Sequence, residues 1–303
     1  MNKLLLTLVL TLISTMSTYA QSKLKVITTV PDLAEIVRKI GGVHVEVESL
    51  LDGSEDAHFA DASPGYIRRV ADADIVCAVG LELEVGWLPK VLAKSGNAKV
   101  QPGGKGYCEA GKTVVVLDKP TGSTDRSHGD VHAAGNPHYN LSPEALTQAS
   151  FEIEKVLVSH KPELELEFKK NSAAFQGEMK ELGNTVRAKL AGLKDAPLMM
   201  EYHKEFSYFF KYYGLKSFGT IEEKPGVLPS TARIANVAES AKKASVHLAL
   251  AAHYTPEKHL KRFTEVSGVP SKRVATFVQK NNEALNTIKK VQLNLLSVFL
   301  SAR

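Results

Sequence analysis

The sequence predicts an α/β chain of two βα lobes with parallel sheets, joined by one long helix. Three observations carry this. Short β-branched runs alternate with helix-patterned segments in both halves of the chain, and one unbroken helical stripe separates the halves. With an N-terminal leader set aside, about 280 residues of a 44% hydrophobic chain remain, more than one ordinary core uses.

The leader comes first. Lys3 precedes an apolar run from Leu4 to Ile13 and a small-residue site, Thr18-Tyr19-Ala20, before Gln21. This is the pattern of a cleavable secretory signal over residues 1–20. The run is shorter than the roughly 20 apolar residues of a membrane span, so a soluble, periplasmic product is expected. A lipid anchor would need a cysteine at the cleavage site, and the two cysteines, Cys77 and Cys108, lie far beyond it. In an oxidising compartment they either pair or remain two buried thiols, and their spacing leaves both open. Without the leader the chain carries 37 basic against 33 acidic residues. That balance is too small and too dispersed to suggest nucleic-acid binding.

The first lobe is expected over residues 21–160. Leu24–Val30 reads as a strand, Pro31–Ile40 as a helix closed by Gly41-Gly42, and Val43–Leu51 as a second strand. Pro64–Ala71 is helical, Ile75–Val79 a strand, Trp87–Ala93 helical and Thr113–Leu117 a strand. Two helical patterns follow with no strand between them, Pro143–Ser159 and Pro162–Leu190. In the second, Leu164, Phe168, Phe175, Met179, Leu182, Val186 and Leu190 advance by threes and fours. At 1.5 Å per residue it would run roughly 43 Å, so residues 161–192 are read as the connecting helix.

The second lobe is expected over residues 193–303. Its strands are Leu198–Glu201, Ser217–Thr220, His247–Ala252 and Arg273–Val278, and its helices Phe206–Tyr213, Thr231–Ala244, Pro256–Gly268 and Ala284–Ser301. In such sheets ligands collect beyond the carboxyl ends of the strands, so the cleft between the lobes is the expected site.

The ten histidines fall on this map unevenly. His58 lies in the loop after the second strand, and His128, His132 and His138 lie in SHGDVHAAGNPH, after the fourth. His203 and His253 directly follow two strands of the second lobe. His44, His160, His247 and His259 sit in strand or helix positions and are read as structural or solvated. Neutral imidazoles from separate loops can close a tetrahedron around Zn²⁺ at about 2.0 to 2.1 Å per bond. No HExxH or CxxC is present, so it is the joint placement that points to a metal. His128 and His132 fit either a metal-collecting loop or a solvated one, in which Gly129, Asp130 and Gly135 supply the turns. Trp87 and the cluster Tyr208, Phe209, Phe210, Tyr212 and Tyr213 are expected to fill the cores and line the cleft.

Several segments resemble the metal-specific solute-binding proteins of ABC importers, whose members serve zinc and manganese uptake. The resemblance spans essentially the whole mature chain. Its carriers are GSEDAHFADASP around His58, ADADIVCAVGLELE before Trp87, HGDVHAAGNPHYNLSP through His138, EYHKEFSYFFKYYGL around His203, and GTIEEKPGVLPSTARIANVAESAKK. It implies a metal-binding rather than catalytic protein, with His58, His138 and His203 as ligands, Zn²⁺ or less favourably Mn²⁺ as cargo, and an inner-membrane ABC permease as partner to a monomer. Manganese members tend to carry a carboxylate where His203 stands, and a third imidazole is softer than the oxygen donors Mn²⁺ prefers.

The chain departs from the family pattern in two places. The aspartate expected after the last strand of the second lobe is missing, since Gln279, Lys280, Asn281 and Asn282 follow Val278. The tryptophan and aspartate expected after GNPH are Asn140 and Ser142. The fourth ligand is therefore expected to be His253 or a water, with Glu201, Glu205 or Glu257 as weaker candidates. Two other functions fit the same residues: a periplasmic zinc chaperone separate from transport, and a zinc hydrolase with an open coordination position.

Overall fold

A computed structural model describes residues 22–120, 132–192, 197–224 and 226–301. The expected signal segment and His128 lie outside the described residues.

Each lobe holds one four-stranded, all-parallel sheet. The first comprises β1 (Leu24–Thr28), β2 (Val45–Ser49), β3 (Ile75–Ala78) and β4 (Tyr107–Glu109), in the order β2-β1-β3-β4. The second comprises β5 (Met199–Glu201), β6 (Ser217–Thr220), β7 (Leu248–Ala252) and β8 (Ser271–Val274), in the order β6-β5-β7-β8. The two orders are the same, so the lobes repeat one topology.

Nine α-helices dress these sheets in the described residues: α1 (Pro31–Gly41), α2 (Pro64–Ala71), α3 (Leu88–Ser95), α4 (Pro143–His160), α5 (Glu165–Ala191), α6 (Ser207–Tyr213), α7 (Thr231–Lys243), α8 (Glu257–Ser267) and α9 (Ile288–Leu300). Their starts are written locally. Proline opens α2 and α4 behind Ser63 and Ser142, whose side chains accept from the Tyr66 and Ala145 amides, and Ser230 caps α7 in the same way through Arg233.

The long helix α5 follows a short 3₁₀ turn at Pro162–Leu164. Its buried face runs through Phe168, Ser172, Phe175, Met179, Leu182, Val186 and Leu190, so Ser172 fills the gap in the apolar stripe. Its first half meets the first lobe, where Asn171 donates to the Ile40 carbonyl and Glu178 pairs with Lys39 at 2.6 Å. Its second half meets α6: a Cβ on Gly183 would lie 2.4 Å from the Tyr212 hydroxyl, and Arg187 stacks over the Tyr212 ring.

One strand of the first lobe differs from the sequence reading. The fourth strand is Tyr107–Glu109, and Thr113–Leu117 carries no strand. The β-branched run misled because side chains take up its backbone amides: Val115 donates to Gln148 and Leu117 to the Tyr208 hydroxyl. In the observed register Cys77 on β3 faces Cys108 on β4, with Cα atoms 4.4 Å apart, and the two form a disulfide in the buried core.

The period-2 alternation of the second sheet divides its side chains between two cores. Met199, Leu248 and Leu250 join the large cluster continuous with the first lobe, whereas Met200, Ala249 and Ala251 join a separate one with Ile221, Ile234 and Phe263. The lobes are thus fused through one apolar core. Polar ties reinforce it near the cleft: Asp32 accepts from Asn140 and from the Val278 amide, Asn140 also donates to the Thr276 carbonyl, and Lys280 reaches the Ser49 carbonyl. Gly53 is required here, since a Cβ would sit 1.8 Å from the Val278 carbonyl oxygen and its φ is +90°.

Candidate metal centre

Three loops at the carboxyl ends of the strands bring His58, His138 and His203 together. Their ligand-capable nitrogens all lie within 4.8 Å of one another. The ring centroids form a near-equilateral triangle, with separations of 5.1, 5.2 and 5.5 Å.

Two of the three rings are aimed by the same local device. In Asp56-Ala57-His58 the aspartate Oδ1 receives both the His58 amide at 3.0 Å and its Nδ1 at 2.7 Å. In Asn136-Pro137-His138 the asparagine Oδ1 receives the His138 amide at 2.9 Å and its Nδ1 at 2.8 Å. Asn136 is itself oriented, because its Nδ2 donates to Asp118 and to the Lys204 carbonyl. The third ring, His203, uses a distant partner: its Nδ1 lies 2.8 Å from Glu222 Oε2, which also accepts the Gly226 amide. In every case an oxygen faces Nδ1, so a neutral ring held this way keeps its proton there and its lone pair on Nε2.

Aromatic residues expected to fill the cores and line the cleft also clamp these loops. Trp87, fully buried, donates from its indole to the Ala57 carbonyl beside His58. The Tyr208 hydroxyl donates to the Asn136 carbonyl and accepts from Leu117, fixing the segment that carries His138.

The electrostatics favour a neutral imidazole at His138. Burial, followed by the charges of His58 and His203, holds His138 well below the usual histidine range, and its Nε2 is a buried atom without a hydrogen-bond partner. His203 goes the other way. Burial lowers it, but the hydrogen bond to Glu222 and the charge of Glu205 outweigh that and raise it. Burial pushes Glu205 up to about 7, and one of its oxygens is buried without a partner while the other accepts the Tyr254 hydroxyl. A cavity of about 110 Å³ reaches the site, lined by His58, His203, Glu205 and Tyr254 among others, with Phe59 and Leu228 exposed at its edge.

Of the expected fourth ligands, Glu205 lies beside the site and the other three fall elsewhere. His253 directs Nε2 to the Ser54 carbonyl at 3.0 Å and is absent from the cluster. Glu201 accepts the Phe206 amide, and the exposed Glu257 faces Arg273. The residue that does reach the cluster is His132, whose Nε2 stands 3.2 Å from His58 Nε2. His132 was read from sequence as either metal-collecting or solvated, whereas Asp56, Asn136 and Glu222 were not singled out. For Asp56 and Asn136 a signal existed, an Asx residue two positions before each histidine; for Glu222, nineteen residues away, there was none. The four histidines read as structural behave so: His44 faces Glu167, His160 the Val156 carbonyl, His247 the Leu198 amide and His259 the Tyr202 hydroxyl.

A family model described as zinc-uptake complex component A, periplasmic, matches residues 26–295. The zinc-binding lipoprotein AdcA of Streptococcus pneumoniae strain R6 is 26% identical over 226 residues, 74% of this chain and 44% of AdcA. The manganese-binding lipoprotein MntA of Bacillus subtilis strain 168 is 28% identical over 201 residues, 66% of this chain and 61% of MntA. The chain therefore spans only about half the length of these relatives. Among solved structures, the periplasmic zinc-binding protein TroA from Treponema pallidum aligns with a TM-score of 0.77 at 18% identity, covering 93% of this chain and 99% of TroA, a likeness of fold. No helix among the described residues is long and apolar enough to cross a membrane.

Proposed function

The chain belongs to the periplasmic zinc-uptake component A family, and on that footing we propose that it captures Zn²⁺ in the cleft and delivers it to an ABC permease. His58, His138 and His203 are the ligands in this reading. The observation that carries it is the convergence of three Nε2 lone pairs, each ring held by an oxygen on Nδ1. Tetrahedral zinc with bonds of about 2.0 to 2.1 Å has nitrogens roughly 3.4 Å apart. A bound ion would draw in nitrogens that now stand up to 4.8 Å apart.

Relatives bear both zinc and manganese in their names, so the choice of metal rests on the donors of this chain. Three imidazoles favour zinc over Mn²⁺, which prefers carboxylate and water oxygens. The reading makes the protein an exported monomer that binds rather than reacts. The size of the access cavity, about 110 Å³, supports this against hydrolysis, because pockets that enclose organic substrates run to roughly 300 Å³ or more.

Competitive titration of the protein without its leader tests the proposal, beside a variant carrying alanine at positions 58, 138 and 203. One zinc per chain, preferred over Mn²⁺ and lost in the variant, is the expected result. Binding that survives the three substitutions would put the metal elsewhere.

A further inference from the structure

We propose that His132 is the fourth ligand, making the centre an all-imidazole tetrahedron. This rests on the three-imidazole capture site and completes it. His58 Nδ1 faces the Asp56 carboxylate at 2.7 Å, an oxygen that can only accept, so Nδ1 carries the proton and Nε2 a lone pair. The His132 Nε2 points at His58 Nε2 from 3.2 Å. Two ring nitrogens this close in a half-buried site either share one proton or face a common cation. The separation is close to the roughly 3.4 Å edge of a tetrahedral zinc site with bonds of about 2.0 to 2.1 Å.

The placement of His132 is supported by the turn that follows it and by the segment around Glu82. The segment after it closes as a turn, with the Gly135 amide donating to the His132 carbonyl and the Asn136 amide to Leu117. That turn needs glycine: Gly135 has φ +107°, and a Cβ would lie 2.1 Å from Val116 Cγ1. Opposite it, the Glu82 carboxylate accepts the Ala134 amide. Leu81 and Glu82 are consecutive non-glycine residues at φ +52° and +68°, a conformation that is held only where surrounding structure imposes it.

His132 stands just outside the trio, its ring 5.3 Å from that of His58 and 6.2 Å from that of His138. To close the tetrahedron in the zinc-loaded protein, the His132 ring would swing toward His138 and His203. The first lobe then supplies three imidazoles and the second lobe one. A fourth nitrogen in place of the missing aspartate further disfavours an oxygen-seeking ion.

X-ray absorption on the zinc-loaded protein, with competitive titration, tests the assignment. The unmutated protein should show four imidazole scatterers. His132→Ala should still bind one zinc, but ten- to a hundredfold more weakly and with three imidazoles and an oxygen, whereas His128→Ala should change neither. An unchanged spectrum and affinity within threefold in His132→Ala would overturn the proposal and give the fourth position to Glu205 or water. Absence of zinc from the unmutated protein would instead bring down the three-imidazole site itself.

Discussion

The two lobes share one strand order but hold their parts of the cleft differently. The first lobe presents His58 and His138 on turns that orient their own rings, backs them with a disulfide between β3 and β4, and pins both loops with Trp87 and Tyr208. The second lobe presents His203 alone, aimed by a glutamate nineteen residues away, among buried carboxyl groups with raised proton affinity. A repeated topology thus supports an unequal division of labour, with one side pre-set and the other reliant on longer-range contacts.

The sharpest way to break this comparison is to remove one histidine from each side. His138→Ala should weaken zinc binding by about a thousandfold or more, since it deletes a buried donor whose only free atom faces the site. His203→Ala should lose less affinity while relaxing the preference for zinc over Mn²⁺. Equal losses in competitive titration would mean that both lobes hold the ion alike.

Rigidity of the first lobe can be tested apart from its chemistry. Replacing Cys77 and Cys108 together with alanine should cost about 2 to 4 kcal/mol in urea unfolding, with zinc affinity changed less than threefold. A larger loss of affinity would show that the bond shapes the site as well as the sheet.

Next come the orienting oxygens. Asn136→Ala and Asp56→Ala should each reduce affinity by about ten- to a hundredfold. Glu222→Gln, which keeps a hydrogen-bond acceptor at the more loosely held ring, should fall at the low end of that range. A Glu222→Gln effect exceeding that of Asn136→Ala would reverse the ranking of the lobes.

The smallest effect concerns the seam between them. Burial raises Asp32 from 3.8 to about 7, against the opposing hydrogen bonds from Asn140 and Val278. The folded protein therefore keeps a proton up to about pH 7 that the unfolded chain releases near pH 4. The stabilising contribution is whole below pH 4 and declines as pH rises through 7. Compared with Asp32→Asn in metal-free buffer, the unmutated protein should lose about 1 kcal/mol of relative stability per pH unit across that window. A flat difference would mean that Asp32 is ionised in the seam.

Most of the fold was legible because its signals are local. Proline and serine mark helix starts, and the alternating strands and the stripe of α5 follow from side-chain period alone. Thr113–Leu117 failed because its amides find side-chain partners that lie 33 and 91 residues away. The three histidines were legible through their segments and their positions after strands. His132 was not separable from His128, because what distinguishes it is contact with His58, 74 residues distant. His253 was misjudged for the same kind of reason: it follows a strand as His203 does, but the Ser54 carbonyl captures its ring.

The twin turns at Asp56-Ala57-His58 and Asn136-Pro137-His138 have a further consequence for how quickly an ion can be taken up. Each ring is restrained by atoms no more than two residues away, so its rotational freedom is given up when the chain folds, before any ion arrives. Little configurational entropy is left to lose at the moment of encounter. For these two rings, capture should then be governed by diffusion through the narrow entrance and by shedding the ion's water, with side-chain search a minor part of the delay.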